Sequence, residues 1–164
     1  MGIGADACRR VFQEFKGLPH RLEYVAEAGG VKFINDSKAT LAESTVWALK
    51  NISSPVVLIA GGKDKGIDYA SILEAARGKV KQVVLIGEAK EKIAQALAGA
   101  LPVQGAPTLE EAVSRAYSLA DPGDCVLLSP MCSSFDMFRD YEERGRIFKQ
   151  AVRALKEGAV SHGA

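Results

Sequence analysis

Val31-Lys32-Phe33-Ile34-Asn35-Asp36-Ser37-Lys38-Ala39-Thr40 is the stretch on which the reading of this chain turns. A short strand ends at Ile34 and runs into consecutive polar or small residues. A helix follows, and Thr40 with Glu43 has the spacing of a capping box, in which each side chain satisfies an orphan amide at the helix start. Strand, polar turn and helix start together form the arrangement with which α/β proteins hold anions, because the helix N-terminus offers free amides and a positive dipole end. Lys38, Asp36 and the hydroxyls of Ser37 and Thr40 are more than such a turn needs for solubility.

Working outward, Leu22–Ala26 alternates as a half-buried strand, and Gly29-Gly30 supplies a tight hairpin turn that makes it antiparallel to Val31–Ile34. Downstream the chain alternates strand and helix. Pro55–Ala60 is an unbroken apolar run of the kind found in strands covered on both faces. Helical pattern over Tyr69–Ala76, a strand at Val80–Ile86 and a helix over Ala89–Leu97 follow. Pro102–Gln104 reads as a short strand, Thr108–Leu119 as a helix with Thr108 and Glu111 at capping-box spacing, and Cys125–Leu128 as the last buried strand. A long helix is expected from about Phe135 to Leu155, with Phe138, Tyr141, Phe148 and Leu155 on its apolar stripe. These units predict an α/β fold: a Rossmann-like, doubly wound, mainly parallel sheet of about six strands with an antiparallel hairpin strand on the N-terminal side. Residues 19–157 form the domain, residues 1–18 a boundary segment with one helical patch around Cys8–Phe15, and residues 158–164 a frayed tail.

Bulk properties exclude several classes of function. A chain of 164 residues with a net charge of +1 gives no electrostatic case for nucleic acid or an anionic membrane. No apolar run approaches the roughly 20 residues of a membrane span. Met1–Gln13 is charged and lacks the apolar centre of a signal peptide, so a cytoplasmic location is expected. Cys8, Cys125 and Cys132 form no CxxC pair, which argues against a disulfide framework or structural zinc and for a reducing compartment.

In a doubly wound sheet ligands sit beyond the carboxyl ends of the strands. Asn35–Thr40, Gly61–Gly66 and Ser129–Asp136 all follow strands, so all three should line one rim. They carry Lys38, Lys63, Lys65, several hydroxyls and backbone amides beside glycines, which suits a small ligand bearing carboxylates or phosphates. Each turn also has a plainer reading. Thr40 and Ser134 could be helix caps, Lys63 and Lys65 a solvated turn, Tyr141 core packing and Cys132 an inert small residue. Trp47, on the first helix, reads as a core or interface residue without chemistry. Gly2-Ile3-Gly4 lacks the preceding strand and third glycine of a dinucleotide fingerprint, and no Gly-x4-Gly-Lys-Ser/Thr loop is present. Neither a metal cluster nor a nucleophile–histidine pair is legible, so the residues read as a binding domain without a complete chemical engine.

Five motifs, in order and spacing, add a resemblance. Leu18-Pro19-His20-Arg21-Leu22-Glu23, Asn35-Asp36-Ser37-Lys38-Ala39-Thr40, Gly61-Gly62-x-Asp64-Lys65-Gly66, Leu128-Ser129-Pro130-x-Cys132-x-Ser134-Phe135-Asp136-Met137-Phe138 and Tyr141-Glu142-Glu143-Arg144-Gly145-x-x-Phe148 resemble the C-terminal domain of the Mur ligases. The type that adds D-glutamate to UDP-N-acetylmuramoyl-L-alanine is the nearest, and the resemblance covers roughly residues 14–156. It implies a three-domain ligase of cytoplasmic peptidoglycan synthesis. ATP with Mg2+, held mainly by a central domain, phosphorylates the substrate carboxylate, and the D-glutamate amine attacks the acyl phosphate. It further implies that Arg21 reaches the nucleotide phosphates and Asp36 the ribose, with Lys38, the one catalytic candidate, near the phosphates or the amino acid. Thr40, Lys65, Ser134 and Tyr141 would hold D-glutamate, and Phe135 would offer its backbone amide. Tyr141 stands in for phenylalanine, Leu41 for a frequent asparagine, and Met131 and Ser133 for alanines. The other two domains are missing from this sequence, which is then expected to be a fragment or a split-gene product that makes no amide bond alone. Rival readings are a stand-alone nucleotide-binding module, a Mur-type domain for another amino acid, and a regulatory partner.

Overall fold

A computed structural model describes residues 17–161 of the chain. Among them lie six strands: β1 (Glu23–Ala28), β2 (Val31–Asn35), β3 (Val56–Gly61), β4 (Val80–Ile86), β5 (Val103–Gly105) and β6 (Cys125–Leu128). Five α-helices accompany them: α1 (Ala42–Asn51), α2 (Leu73–Ala76), α3 (Lys90–Leu97), α4 (Leu109–Ser118) and α5 (Tyr141–Ser161), with a 3-10 turn over Tyr69–Ile72 leading into α2. The Cys8–Phe15 patch lies outside the described residues.

The strands form one sheet in the order β1-β2-β6-β3-β4-β5. β1 and β2 pair antiparallel and every other neighbouring pair is parallel. Gly29 and Gly30 turn the hairpin at φ 56° and 79°, backbone angles that a side chain strains to reach. The expected mixed, doubly wound sheet is therefore the fold. β3 is buried at all six positions, as its unbroken apolar run requires. Its alternate residues feed two cores. Val56, Leu58 and Ala60 join Leu49, Ile72, Ile93 and Leu97 beneath α1, the 3-10 turn and α3. Val57 and Ile59 join Phe33, Leu109, Val113, Phe148 and Val152 beneath α4 and α5.

Several boundaries differ from the sequence reading, each for a local reason. α1 starts at Ala42 behind Leu41, and no side chain caps it. The Thr40–Glu43 capping box does not form because the turn curls on itself first: the Ala39 amide donates to the Asp36 carbonyl at 2.8 Å and the Thr40 amide to the Lys38 carbonyl at 2.9 Å. The second expected cap does form, with the Glu111 amide donating to Thr108 Oγ1 at 3.2 Å. The last helix begins at Tyr141, not Phe135, because the Ser134 carbonyl takes the Met137 and Phe138 amides in a separate turn. Asp140, not Ser134, caps it, accepting from the Glu143 amide at 2.7 Å. The same helix runs on through Gly158 to Ser161 where a frayed tail was expected. β1 starts one residue late because Leu22 sits at φ 40°, and β5 is shifted to Val103–Gly105.

Candidate functional site

β2, β6 and β3 are adjacent and parallel, so the turns that follow them meet at one rim. The main chain ties them together. The Met131 amide donates to the Ala39 carbonyl at 2.9 Å, and the Gly61 and Lys63 amides donate to the Pro130 and Ser133 carbonyls, each at 2.9 Å. Gly62 serves this close approach, and Gly61 a similar one to the end of β4. A Cβ at Gly61 would stand 2.1 Å from the Ile86 carbonyl oxygen, and one at Gly62 2.4 Å from that of Ser133. The amides beside these glycines, expected to face an anion, are thus partly spent on joining turns. The exposed cations Lys38, Lys63 and Lys65 are left to meet one.

Buried polar side chains set the shape of the rim. Arg144 of α5 is fully buried, donating from Nε to Ser37 Oγ at 3.0 Å, and from Nη2 to the Ser37 carbonyl at 2.8 Å and the Cys132 carbonyl at 3.1 Å. Its partners are neutral, and burial pushes its guanidinium down to about 10. Ser37 Oγ in turn donates to the Tyr141 carbonyl at 2.7 Å. Asn35 links the next layer: its side-chain amide lies 3.0 Å from both Glu23 Oε2 and His20 Nδ1, and its carbonyl oxygen accepts from the Ser37 amide. His20 packs edge-on to Tyr141 at 6.0 Å, and burial lowers its pKa. Cys132 lies buried against Tyr69 Oη at 3.3 Å, with its thiol pushed up by burial, as befits an inert residue.

Some of the expected site residues meet: Lys65 reaches Thr40, Lys38 lies against Tyr141, and Arg21 and Asp36 share a cleft. Lys65 Nζ donates to the Thr40 carbonyl at 3.2 Å. Lys38 Nζ lies 5.4 Å from the centre of the Tyr141 ring, a cation–π arrangement. Tyr141 is half-buried and belongs to neither hydrophobic core, which goes against the core-packing alternative. Ser134 is buried; Phe135 is exposed, and its amide makes no hydrogen bond among the described residues. Arg21 and Asp36 instead line a cleft of about 470 Å3 with Glu43, Ser44 and Trp47. Asp36 is 4% exposed, and its carboxylate accepts from the Leu22 amide at 3.2 Å and Ser129 Oγ at 3.2 Å. Burial nonetheless raises its pKa to about 6, against the opposing pull of those two donors and of Arg21. Trp47 is 58% exposed, which removes the core alternative for it. The sequence reading passed over Glu43 and Ser44 as site residues, although their spacing of four and three from Trp47 puts the three on one helical face. Arg144 was not legible as a site residue, since a lone arginine in a helix gives no sign of burial.

The Mur ligase glutamate ligase domain family matches residues 20–132 of this sequence. The chain belongs to the Mur ligase family. Among curated relatives it is 53% identical over 154 residues to the UDP-N-acetylmuramoylalanine–D-glutamate ligase of Chlorobaculum parvum, covering 94% of this chain and 33% of that protein. The ligase of the same name from Thermoanaerobacter sp. strain X514 is 49% identical over 159 residues, covering 94% of this chain and 35% of the relative. This Mur ligase domain therefore spans about a third of the length of those relatives. Its fold matches part of a bifunctional folylpolyglutamate synthase/dihydrofolate synthase from Yersinia pestis with a TM-score of 0.68 at 18% identity, over 93% of this chain and 35% of that one. Among the described residues of this Mur ligase domain no three His, Cys, Asp or Glu side chains cluster as a metal site, and no helix is long and apolar enough to cross a membrane.

Proposed function

We propose that this chain is the D-glutamate-binding C-terminal portion of an ATP-dependent ligase that joins D-glutamate to UDP-N-acetylmuramoyl-L-alanine in cytoplasmic peptidoglycan synthesis. The observation that carries this reading is the 53% identity to a D-glutamate ligase along nearly the whole chain. The rim supports it chemically, because a dicarboxylate needs fixed cations, hydroxyls and a free amide. In this reading Lys65 and Lys38 meet the two carboxylates, Thr40, Ser134 and Tyr141 offer hydroxyls, and the Phe135 amide takes a carboxylate oxygen. Arg21 and Asp36 take nucleotide phosphates and ribose.

ATP transfers its γ-phosphoryl group to the muramoyl-alanine carboxylate. The D-glutamate amine then attacks that carbonyl carbon, the acyl C–O bond breaks, phosphate leaves, and the amine loses a proton. This chain has no phosphate-binding P-loop of its own, so the phosphates and Mg2+ fall mainly to a partnering ATPase domain. The rim's part is to hold the amine in line and, on closure, to exclude the water that would hydrolyse the acyl phosphate. The chain by itself is expected to form no amide bond.

An NMR titration of the chain with D-glutamate, with L-glutamate as control, tests the reading. D-selective shifts at Thr40, Lys65, Ser134 and Tyr141 are expected. Equal shifts with both enantiomers would reduce the rim to a generic anion site and overturn the amino-acid assignment.

A further inference from the structure

Between Gly61 and Gly66 the chain is held in two different ways. Up to Lys63 the main chain holds it, with the Lys63 amide donating to the Ser133 carbonyl at 2.9 Å. Beyond that join no main-chain hydrogen bond holds Asp64, Lys65 or Gly66 among the described residues. Side chains take over, and they converge on Asp64. Its Oδ1 accepts from the Gly66 amide at 2.9 Å, which closes a tight turn with Lys65 as the middle residue. The same oxygen accepts from Tyr69 Oη at 2.8 Å, and Oδ2 accepts from Lys92 Nζ of α3 at 2.8 Å. Tyr69 is 1% exposed and belongs to the core beneath α1 and α3, and its Oη also lies 3.3 Å from Cys132 Sγ. One buried phenol thus joins the turn that carries Lys65 to the turn that carries Ser134 and Phe135.

We propose that Tyr69 and Asp64 position Lys65 at a set distance from the Ser134–Phe135 turn, and that this distance selects the length of the dicarboxylate. The inference rests on the D-glutamate reading given above and deepens it. Lys65 takes one carboxylate, and the Ser134 hydroxyl with the Phe135 amide takes the other. Tyr69 and Asp64 do not touch the ligand; both act through Lys65. A lysine alone measures length poorly, because its four-carbon stem lets the ammonium swing. Fixing its backbone in the Asp64 turn narrows that reach, and Lys65 Nζ already donates to the Thr40 carbonyl at 3.2 Å. A dicarboxylate one methylene shorter then meets only one of its two clamps. Lys92 pairs the Asp64 charge, which would otherwise stand beside the ammonium and repel the ligand.

D-glutamate and D-aspartate, which differ by one methylene, are titrated by NMR into the wild-type chain and into Tyr69→Phe, Asp64→Ala and Asp64→Asn. The wild type should prefer D-glutamate about tenfold or more. Tyr69→Phe keeps the buried ring and loses only the hydroxyl, and it should cut that preference several-fold by weakening D-glutamate. Asp64→Asn retains an acceptor for the Gly66 amide and the phenol and should keep most of the preference. Asp64→Ala retains none and should lose it. A purely structural role would lower the stability of these variants without moving the ratio between the two acids. If the wild type does not distinguish the acids, or Tyr69→Phe leaves their ratio unchanged, the positioning role is overturned while the D-glutamate reading stands. If D-glutamate shifts neither Lys65 nor Ser134 in the wild type, that reading fails and the length selection goes with it.

Discussion

Arg144 reaches across 107 residues of sequence to hold Ser37, donating to its hydroxyl at 3.0 Å and its carbonyl at 2.8 Å. Through the Cys132 carbonyl it holds a second turn as well, so one buried guanidinium fixes the distance between the turns after β2 and β6. Lysine has three donors on a single nitrogen and cannot span acceptors set apart in this way. Arg144→Lys should lower the unfolding free energy by about 2–4 kcal/mol, because buried carbonyls are left without donors. Urea denaturation beside the exposed control Arg146→Lys checks it; equal midpoints for the two variants would mean that Arg144 is not the clamp.

Gly145 reverses the usual rule for glycine in a helix. Replacing a helical glycine by alanine ordinarily stabilises by up to about 1 kcal/mol. At Gly145, however, a Cβ would stand 2.0 Å from His20 Nδ1 and 3.0 Å from Asn35 Nδ2, both in buried side chains. Gly145→Ala should therefore destabilise by about 1–3 kcal/mol. Gly158→Ala, where a Cβ meets nothing within 4 Å on the same helix, should stabilise by a few tenths. Thermal melts of the pair should move in opposite directions.

Asp36 predicts an unusual pH dependence. Its carboxyl is raised from an ordinary 3.8 to about 6 in the folded chain, chiefly by burial. The folded state thus binds the proton more tightly than the unfolded one between these values, so this group's contribution to stability is complete below about 4 and is lost as pH rises through about 6. Asp64 and Glu143 run the other way. Their depressed values, caused first by the Lys92 ion pair and the Arg139 amide respectively, contribute stability that disappears in acid. The comparison must accordingly be with Asp36→Asn. Relative to wild type, the variant's unfolding free energy should rise by about 2–3 kcal/mol between pH 4 and pH 7.5, on 1.36 kcal/mol per unit. A difference independent of pH would show that the carboxyl titrates normally.

Cys125 and Cys132 are both free and buried, and burial raises both thiols, Cys125 to about 12. Iodoacetamide at pH 7 should leave both unmodified in the native chain and alkylate both in urea, as peptide mass mapping would report. Native labelling of Cys132 would mean that the turn after β6 opens.

The order of strands and helices was legible in the amino-acid sequence because buried strands are unbroken apolar runs and helices carry their own periodicity and start signals; β3 was marked by its apolar run and α4 by its Thr108–Glu111 cap. The convergence of the three turns followed from topology, since parallel strands place their carboxyl ends together. The sequence did not disclose where helices begin beside the rim. Thr40 and Ser134 have the composition of caps, yet their main chains are already engaged in tighter turns, and local pattern cannot weigh a cap against a competing tertiary bond. Nor could it disclose Arg144, whose burial depends on carbonyls that lie 12 and 107 residues away. The pairing of Trp47 with Arg21 and Asp36 in one cleft was likewise decided only by folding, which sets the exposed face of α1 against the turn after β2. Periodicity is a property of neighbours along the chain, whereas a site is made by residues that meet across it, and only the packed sheet determines which of them do.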